Sequence, residues 1–184
     1  MADRIMDHAQ LLVQSVGYNG FSYADIAQEL GIRKATIHYY YRTKSDLCAS
    51  LLRRYRLRFR IKVESAMAEL ASPKERLMLY ISFYQEALDD GRLCPCGVLT
   101  SELLTLSPDI QEEVRGFFDE QLDWIEAQLR AAASAGELRV TTPPRDLAAS
   151  LLGMIEGGML LAHARKNRRS LADAIAGTLS LIFS

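Results

Sequence analysis

The sequence predicts an all-α protein, with an N-terminal three-helix bundle containing a helix-turn-helix and a longer helical body behind it. Three observations predict it. Helix-start signatures, a hydroxyl residue with an acid three positions on, recur at Ser22…Asp25, Thr43…Asp46, Ser72…Glu75 and Ser170…Asp173; each pair can satisfy backbone donors that a helix start leaves open. Apolar residues return at three- and four-residue spacing over most of the chain. Pro73, Pro108 and Pro143 each follow a Ser or Thr, and Gly17, Gly31, Gly91 and Gly136 stand where those patterns break; proline suits a first helical turn and glycine a helix end.

Taken in order, the signals place helices over 3–16, 23–30, 34–40, 44–70, 73–89, 96–105, 108–134, 144–164 and 171–183. In the first, Ile5, Ala9, Leu12 and Val16 form an apolar stripe able to close a three-helix core. In the second, Ser22 is the cap, Phe21 and Ile26 sit at staple positions, and Ile26 and Leu30 give the buried face, with small Ala27 where two helices cross. Gly31 supplies the turn, and Ile32, Ile37 and Tyr40 resume the buried face. Arg54 to Ile61 alternates with period two, as a half-buried strand would. Leu52, Tyr55, Phe59, Val63, Ala66 and Leu70 keep helical spacing through the same stretch, however, and no turn residue interrupts it, so a long helix is predicted.

Composition narrows the function. The chain has 184 residues, 49% apolar and 24% charged, the balance of a soluble globular protein. The N-terminal Met-Ala-Asp-Arg lacks an apolar signal core and no uninterrupted apolar run reaches spanning length, which predicts a cytoplasmic protein with no membrane role. The net charge of −1 is unevenly spread. Residues 1–62 carry 11 Lys/Arg against 5 Asp/Glu (+6), and residues 63–184 carry 11 against 18 (−7). A basic head on an acidic body is either an electrostatic footprint for a polyanion or chance clustering on solvated helices.

The 21–41 stretch favours the first reading. Its spacing is that of a helix-turn-helix, whose second helix enters the major groove of DNA. The exposed face of 34–40 offers Lys34, Thr36, His38 and Tyr39, side-chain types able to reach base edges. Ser22, Tyr23, Tyr40 and Lys44 are placed to bind phosphates. A helical module whose head binds protein instead of DNA is the alternative.

These residues, FSYADIAQELGIRKATIHYYYRTKSDL preceded by SVGYNG, resemble the N-terminal domain of the TetR/AcrR family of repressors, over residues 4–50. The resemblance implies a DNA-binding domain at 1–46 and a six-helix ligand-binding and dimerisation domain at 47–184. It implies DNA contacts by Thr36, His38, Tyr39 and Tyr40, and a phosphate contact by Lys44. The family often has Tyr where His38 stands and Phe where Tyr41 stands, so base preference here is this chain's own.

The resemblance also places a ligand pocket among the middle helices, with Phe83, Leu99, Phe117, Trp124 and Met154 as walls and Glu102 and Gln121 as polar contacts. Such walls would suit a small, largely apolar effector; as residues alone they equally read as core. Helices 144–164 and 171–183 are implied to pair with their copies in a homodimer reading a palindromic operator; an intrachain core is the other reading. Gly153, Gly157 and Gly158 would weaken the first of these helices unless another helix packs close. Of the three cysteines, Cys94 and Cys96 flank Pro95 near a helix start, where a thiolate is favoured. They are either inert or a redox or electrophile sensor, and ligand spacing for metal is lacking. No phosphate loop, zinc-protease helix or serine-hydrolase elbow occurs, so neither catalysis nor a cofactor is predicted.

Overall fold

The computed structural model describes residues 1–68, 70–167 and 169–183, with backbone alone for 169, 170 and 172–174. Among the described residues there are nine α-helices: α1 (Ala2–Val16), α2 (Tyr23–Leu30), α3 (Lys34–Tyr40), α4 (Lys44–Met67), α5 (Pro73–Asp89), α6 (Pro95–Thr100), α7 (Pro108–Ser134), α8 (Pro144–Ala164) and α9 (Arg169–Ile182). A short 3-10 turn, Leu103–Thr105, follows α6, so the helix expected over 96–105 is broken in two. The alternating Arg54–Ile61 stretch is helical within α4. An isolated bridge joins Leu138 to Phe183.

The helix starts behave as their sequences predict. Ser22 and Asp25 form the reciprocal capping box of α2. Thr43 and Asp46 do the same for α4, through Thr43 N–H to Asp46 Oδ2 (3.0 Å) and Asp46 N–H to Thr43 Oγ1 (3.1 Å). Ser72 accepts from the Glu75 amide at 3.4 Å. The Ser170…Asp173 pair lies outside the described side chains. The first turn of α8 holds Pro144, and Pro143 is its extended N-cap, one position off the expectation.

Residues fall into two compact units, Met1–Phe59 with Cys94–Phe117, and Arg60–Leu93 with Phe118–Ser184. The division differs from a boundary at 46/47 because α1 packs on α6 as well as on α2 and α3. Ile5, Ala9 and Val13 of α1, Ile26 and Ala27 of α2, and Ile37 of α3 are buried in the first unit. The α1 stripe is therefore rotated from the predicted one: Val13 is inside and Val16 is 52% exposed.

In the second unit α5, α8 and α9 pack together. The expectation that no stretch could span a membrane needs correction, since α8 is long and apolar enough by length and composition alone. Leu147, Leu151, Leu152, Ile155 and Met159 account for part of that apolarity, because they are buried within this unit. A Cβ at Gly158 would meet Leu171 at 2.6 Å, so one close helix approach is intrachain; nothing lies within 4 Å of Gly153 or Gly157.

Candidate nucleic-acid interface

The turn between α2 and α3 sets the geometry. Gly31 ends α2 in the left-handed region (φ 64, ψ 35). The Ile32 amide returns to the Ala27 carbonyl at 3.0 Å, closing the end of α2 with a six-to-one bond. A residue with a Cβ would be strained here by its torsion alone, since no neighbour crowds the position. Past the turn, Ile37 is fully buried and anchors α3, which leaves the rest of the helix facing out.

Lys34 and His38 are exposed, Thr36 is half-buried, Tyr39 is 82% exposed and Tyr40 43% exposed. Tyr39 and Tyr40 stand edge to face at 5.1 Å. Exposing two aromatic rings on one short helix costs hydrophobic free energy unless a partner covers them. His38 lies edge-on against the Tyr23 ring at 4.9 Å, and its Nδ1 is 3.1 Å from the Arg42 carbonyl oxygen.

Three predicted phosphate ligands are engaged by neighbours within the fold. Tyr23 is buried, and its hydroxyl is shared between the carbonyls of Thr43 (2.6 Å) and Tyr41 (3.1 Å). Burial, with help from Asp46, raises its pKa well above the ordinary phenol range. It braces the α3–α4 turn. The Lys44 ammonium folds inward, donating to the carbonyls of Tyr18 and Phe21 and lying over both rings, 3.9 Å from the Phe21 centroid. Burial lowers its pKa, with Cys48, Glu102 and Asp25 pulling the other way. Only its backbone N–H, at a helix start, remains suited to a phosphate. Ser22 is exposed, but its hydroxyl proton goes to Asp25 Oδ2 (2.8 Å) while its oxygen accepts from Ala24 (3.1 Å). Those bonds also hold the Asp25 carboxyl below its usual pKa.

Two cations missed by the sequence reading flank α3. Arg33 precedes it and Arg42 follows it; with Lys34, both are exposed and none forms an ion pair among the described residues. Being arginines bordering a recognition helix was the available signal. Five of the eight arginines in residues 1–62 lie on α4, and four of these pair internally: Arg53 and Arg56 with Glu113, Arg54 with Asp3 and Asp7, and Arg58 with Asp7.

The predicted pocket residues are divided between the two units. Leu99, Glu102 and Phe117 belong to the first unit, and Phe83, Gln121, Trp124 and Met154 to the second. In the first, Phe117 is buried against Tyr55 (5.7 Å) and Phe59 (5.9 Å), and Leu99 is fully buried. Glu102 accepts from the Asn19 amide (2.9 Å) and side chain (2.8 Å), against Gly17, at the α1–α2 turn.

In the second unit a polar cluster sits in apolar surroundings. Tyr80 hydroxyl is 2.9 Å from that of Tyr84 and donates to Gln121 Oε1 at 3.1 Å, and Trp124 stacks on the Tyr80 ring at 4.9 Å. Tyr80, Tyr84 and Gln121 are all buried. Phe83 is buried beneath Lys62, and Met154 Sδ accepts from Thr178 Oγ1 at 3.2 Å. An open groove along α7 (Asp123, Glu126, Ala127, Arg130, Ala131, Ser134) contains none of the predicted residues.

All three cysteines are buried and free. Burial pushes the Cys48 thiol up to about 12, with Cys96 the next cause. Cys94 Sγ accepts the Gly97 amide at 3.5 Å and so caps α6. Burial of Cys94 and Cys96 keeps both thiols from solvent, which disfavours the sensor reading. No cluster of three or more metal-ligating side chains occurs among the described residues.

Residues 73–178 match the family described as "Tetracyclin repressor-like, C-terminal domain", and residues 5–51 match "Bacterial regulatory proteins, tetR family". A solved TetR-family regulator from Agrobacterium tumefaciens is 32% identical and superposes with a TM-score of 0.96, over 100% of this chain and 97% of that one. The "Fatty acid metabolism regulator protein" of Bacillus subtilis is 26% identical over 137 residues, 74% of this chain and 70% of that protein. A Bacillus subtilis regulator solved in complex with stearoyl-CoA shares the fold at 22% identity and a TM-score of 0.80, over 100% of this chain and 98% of that one. With both of its segments matched and its helix-turn-helix intact, the chain belongs to the tetR family of bacterial regulatory proteins and is a DNA-binding transcriptional regulator.

Proposed function

We propose that the protein is a cytoplasmic, homodimeric repressor that leaves a palindromic operator when a small, largely apolar molecule binds its body. The observation that carries the DNA side is the outward face of α3. Lys34, His38 and Tyr39, flanked by Arg33 and Arg42, are exposed on a helix that Ile37 and the Tyr23 brace hold in place. Thr36 and Tyr40 complete the contact set, and the head at 1–46 acts as the reading domain.

The dimer is supported by what one chain leaves uncovered. Leu160, Leu161 and Leu181 are 50%, 64% and 72% exposed, and Gly153, Gly157 and Gly177 have open space above them. A second copy packed along α8 and α9 would cover this surface, and a membrane is not needed to do so. Two recognition helices then meet half-sites about 34 Å apart. For the effector, the Tyr80–Tyr84–Gln121 cluster beside Trp124 offers a polar handle in an apolar setting. The Bacillus subtilis fatty acid metabolism regulator and the stearoyl-CoA complex agree with an acyl-like molecule.

Fluorescence anisotropy against the DNA upstream of the protein's own gene tests the reading at two salt concentrations. Affinity that falls steeply with salt, and that long-chain acyl compounds relieve in the wild type but not in Gln121→Leu, is the expected result. A flat salt response would remove the DNA-binding proposal. Release of equal size in Gln121→Leu would remove the effector assignment.

A further inference from the structure

His38 stands exposed on α3, and its surroundings fix more than its location. Its Nδ1 faces the Arg42 carbonyl oxygen at 3.1 Å. A carbonyl oxygen has lone pairs only, so Nδ1 must carry the hydrogen and donate. In the neutral ring Nε2 is then a bare lone pair. The ring is also held from the side, edge-on to Tyr23 at 4.9 Å. Tyr23 is itself pinned by its hydroxyl to the carbonyls of Tyr41 and Thr43. One turn of backbone, 41–43, therefore fixes both the imidazole and the ring it leans on, and turning the imidazole over would forfeit the Arg42 bond.

A fixed acceptor on an exposed helix face is selective about what it can meet on a duplex. Phosphate oxygens, guanine N7 and O6, and thymine O4 are acceptors and are excluded. The major-groove groups that donate are adenine N6 and cytosine N4. We propose that His38, through Nε2, reads the exocyclic amino group of one adenine or cytosine in each half-site. The inference rests on α3 being the DNA-reading helix. Lys34, one turn earlier on the same side of α3, has donors only, so it takes a guanine edge or a phosphate. The two positions thus demand opposite chemistry from neighbouring bases.

Selection of a randomised operator with the full-length protein, at about pH 8, reads this directly. Wild type is expected to enrich adenine or cytosine over guanine and thymine at one position of each half-site, by roughly 5- to 100-fold in affinity. His38→Ala should level that position and leave the rest of the site intact. His38→Lys exchanges acceptor for donor and should move the preference to guanine. Replacing the selected base by its analogue lacking the amino group should weaken wild type by the same factor and leave His38→Ala unchanged. Enrichment of guanine or thymine by wild type at that position would overturn the inference, as would a uniform loss of affinity for every sequence in His38→Ala, the mark of a phosphate contact. If no variant enriches any sequence, the reading of α3 as the DNA helix fails and takes this inference with it.

Discussion

The head carries two sets of cations with opposite fates. On the α4 shaft, Arg53, Arg54 and Arg56 are bonded to Glu113, Asp3 and Asp7, and the Arg54 side chain is only 12% exposed. Around α3, Arg33, Lys34 and Arg42 are exposed and outside every ion pair among the described residues. The same residue types add equally to the positive charge of the head. The shaft set has its field answered by neighbouring carboxylates, so it does little at a distance. The α3 set has not, and its binding to DNA would release counterions from the phosphates. Net charge along a sequence therefore overstates the DNA-binding surface, and the ion pairs say by how much.

The largest test of this contrast removes the α3 set. Arg33→Gln, Lys34→Gln and Arg42→Gln together should weaken operator binding by about 100-fold or more. The salt slope should become shallower by about 0.9 for each phosphate that is no longer neutralised, with thermal stability unchanged. Arg53→Gln with Arg56→Gln, equal in kind of charge removed, should leave the slope within error of wild type. If the shaft pair moves the slope as much per residue, the two sets are not distinct.

Lys44 belongs to neither set and is the stronger case for structure over charge. Its ammonium closes the α1–α2 turn by donating to Tyr18 and Phe21 carbonyls and lying on both rings. Lys44→Met keeps the stem but leaves two half-buried carbonyls unanswered. A loss of about 2 kcal/mol in urea unfolding is expected, while the folded fraction still binds DNA with close to wild-type affinity. A drop in affinity without a drop in stability would instead restore Lys44 as a phosphate ligand. Arg54→Ala should come next, at about 1 kcal/mol or a little more. Its stem packs and its partners are exposed, which limits the gain from pairing; operator affinity should stay within about twofold.

Lys44 also marks where sequence reading stops. Helix existence was legible because caps, prolines and glycines act on their own neighbours, and all the described starts sit within a residue or two of the signals. Which way a side chain folds is set by residues far along the chain. A lysine opening a helix reads the same whether its ammonium reaches solvent or carbonyls 23 and 26 residues upstream. Glu102 gave no hint of Asn19, 83 residues away. Even the α1 stripe was legible in period but not in phase, since Leu12, Val13 and Val16 are all apolar and the helices packed on α1, namely α2, α3 and α6, decide which of them is covered. On α3 the outward placing of Lys34, His38 and Tyr39 was legible because local pattern alone sets it, whereas Tyr40, expected on the buried face, is 43% exposed.

The smallest effect separates buried neutral groups of the head from its buried cation by pH. Cys48 has a thiol pKa of about 12 in the fold against 9.0 for a free thiol. Between those values the unfolded chain releases a proton that the folded chain keeps, so the folded state binds more protons and stability falls as pH rises. Tyr23, also raised by burial, adds the same sign once pH passes 10.0. Lys44 has the opposite sign, because burial lowers its pKa and the folded chain is relieved of a desolvated charge as pH climbs toward 10.5. At about pH 10 the Cys48 contribution is on the order of 1 kcal/mol. The urea midpoint of wild type should therefore drop between about pH 8 and that point, Cys48→Ala should drop less, and Lys44→Met, lacking the opposing group, should drop more. Parallel declines in all three proteins would mean that these burials do not govern the alkaline limb, and that the inward turn of Lys44 contributes to structure without costing it a proton.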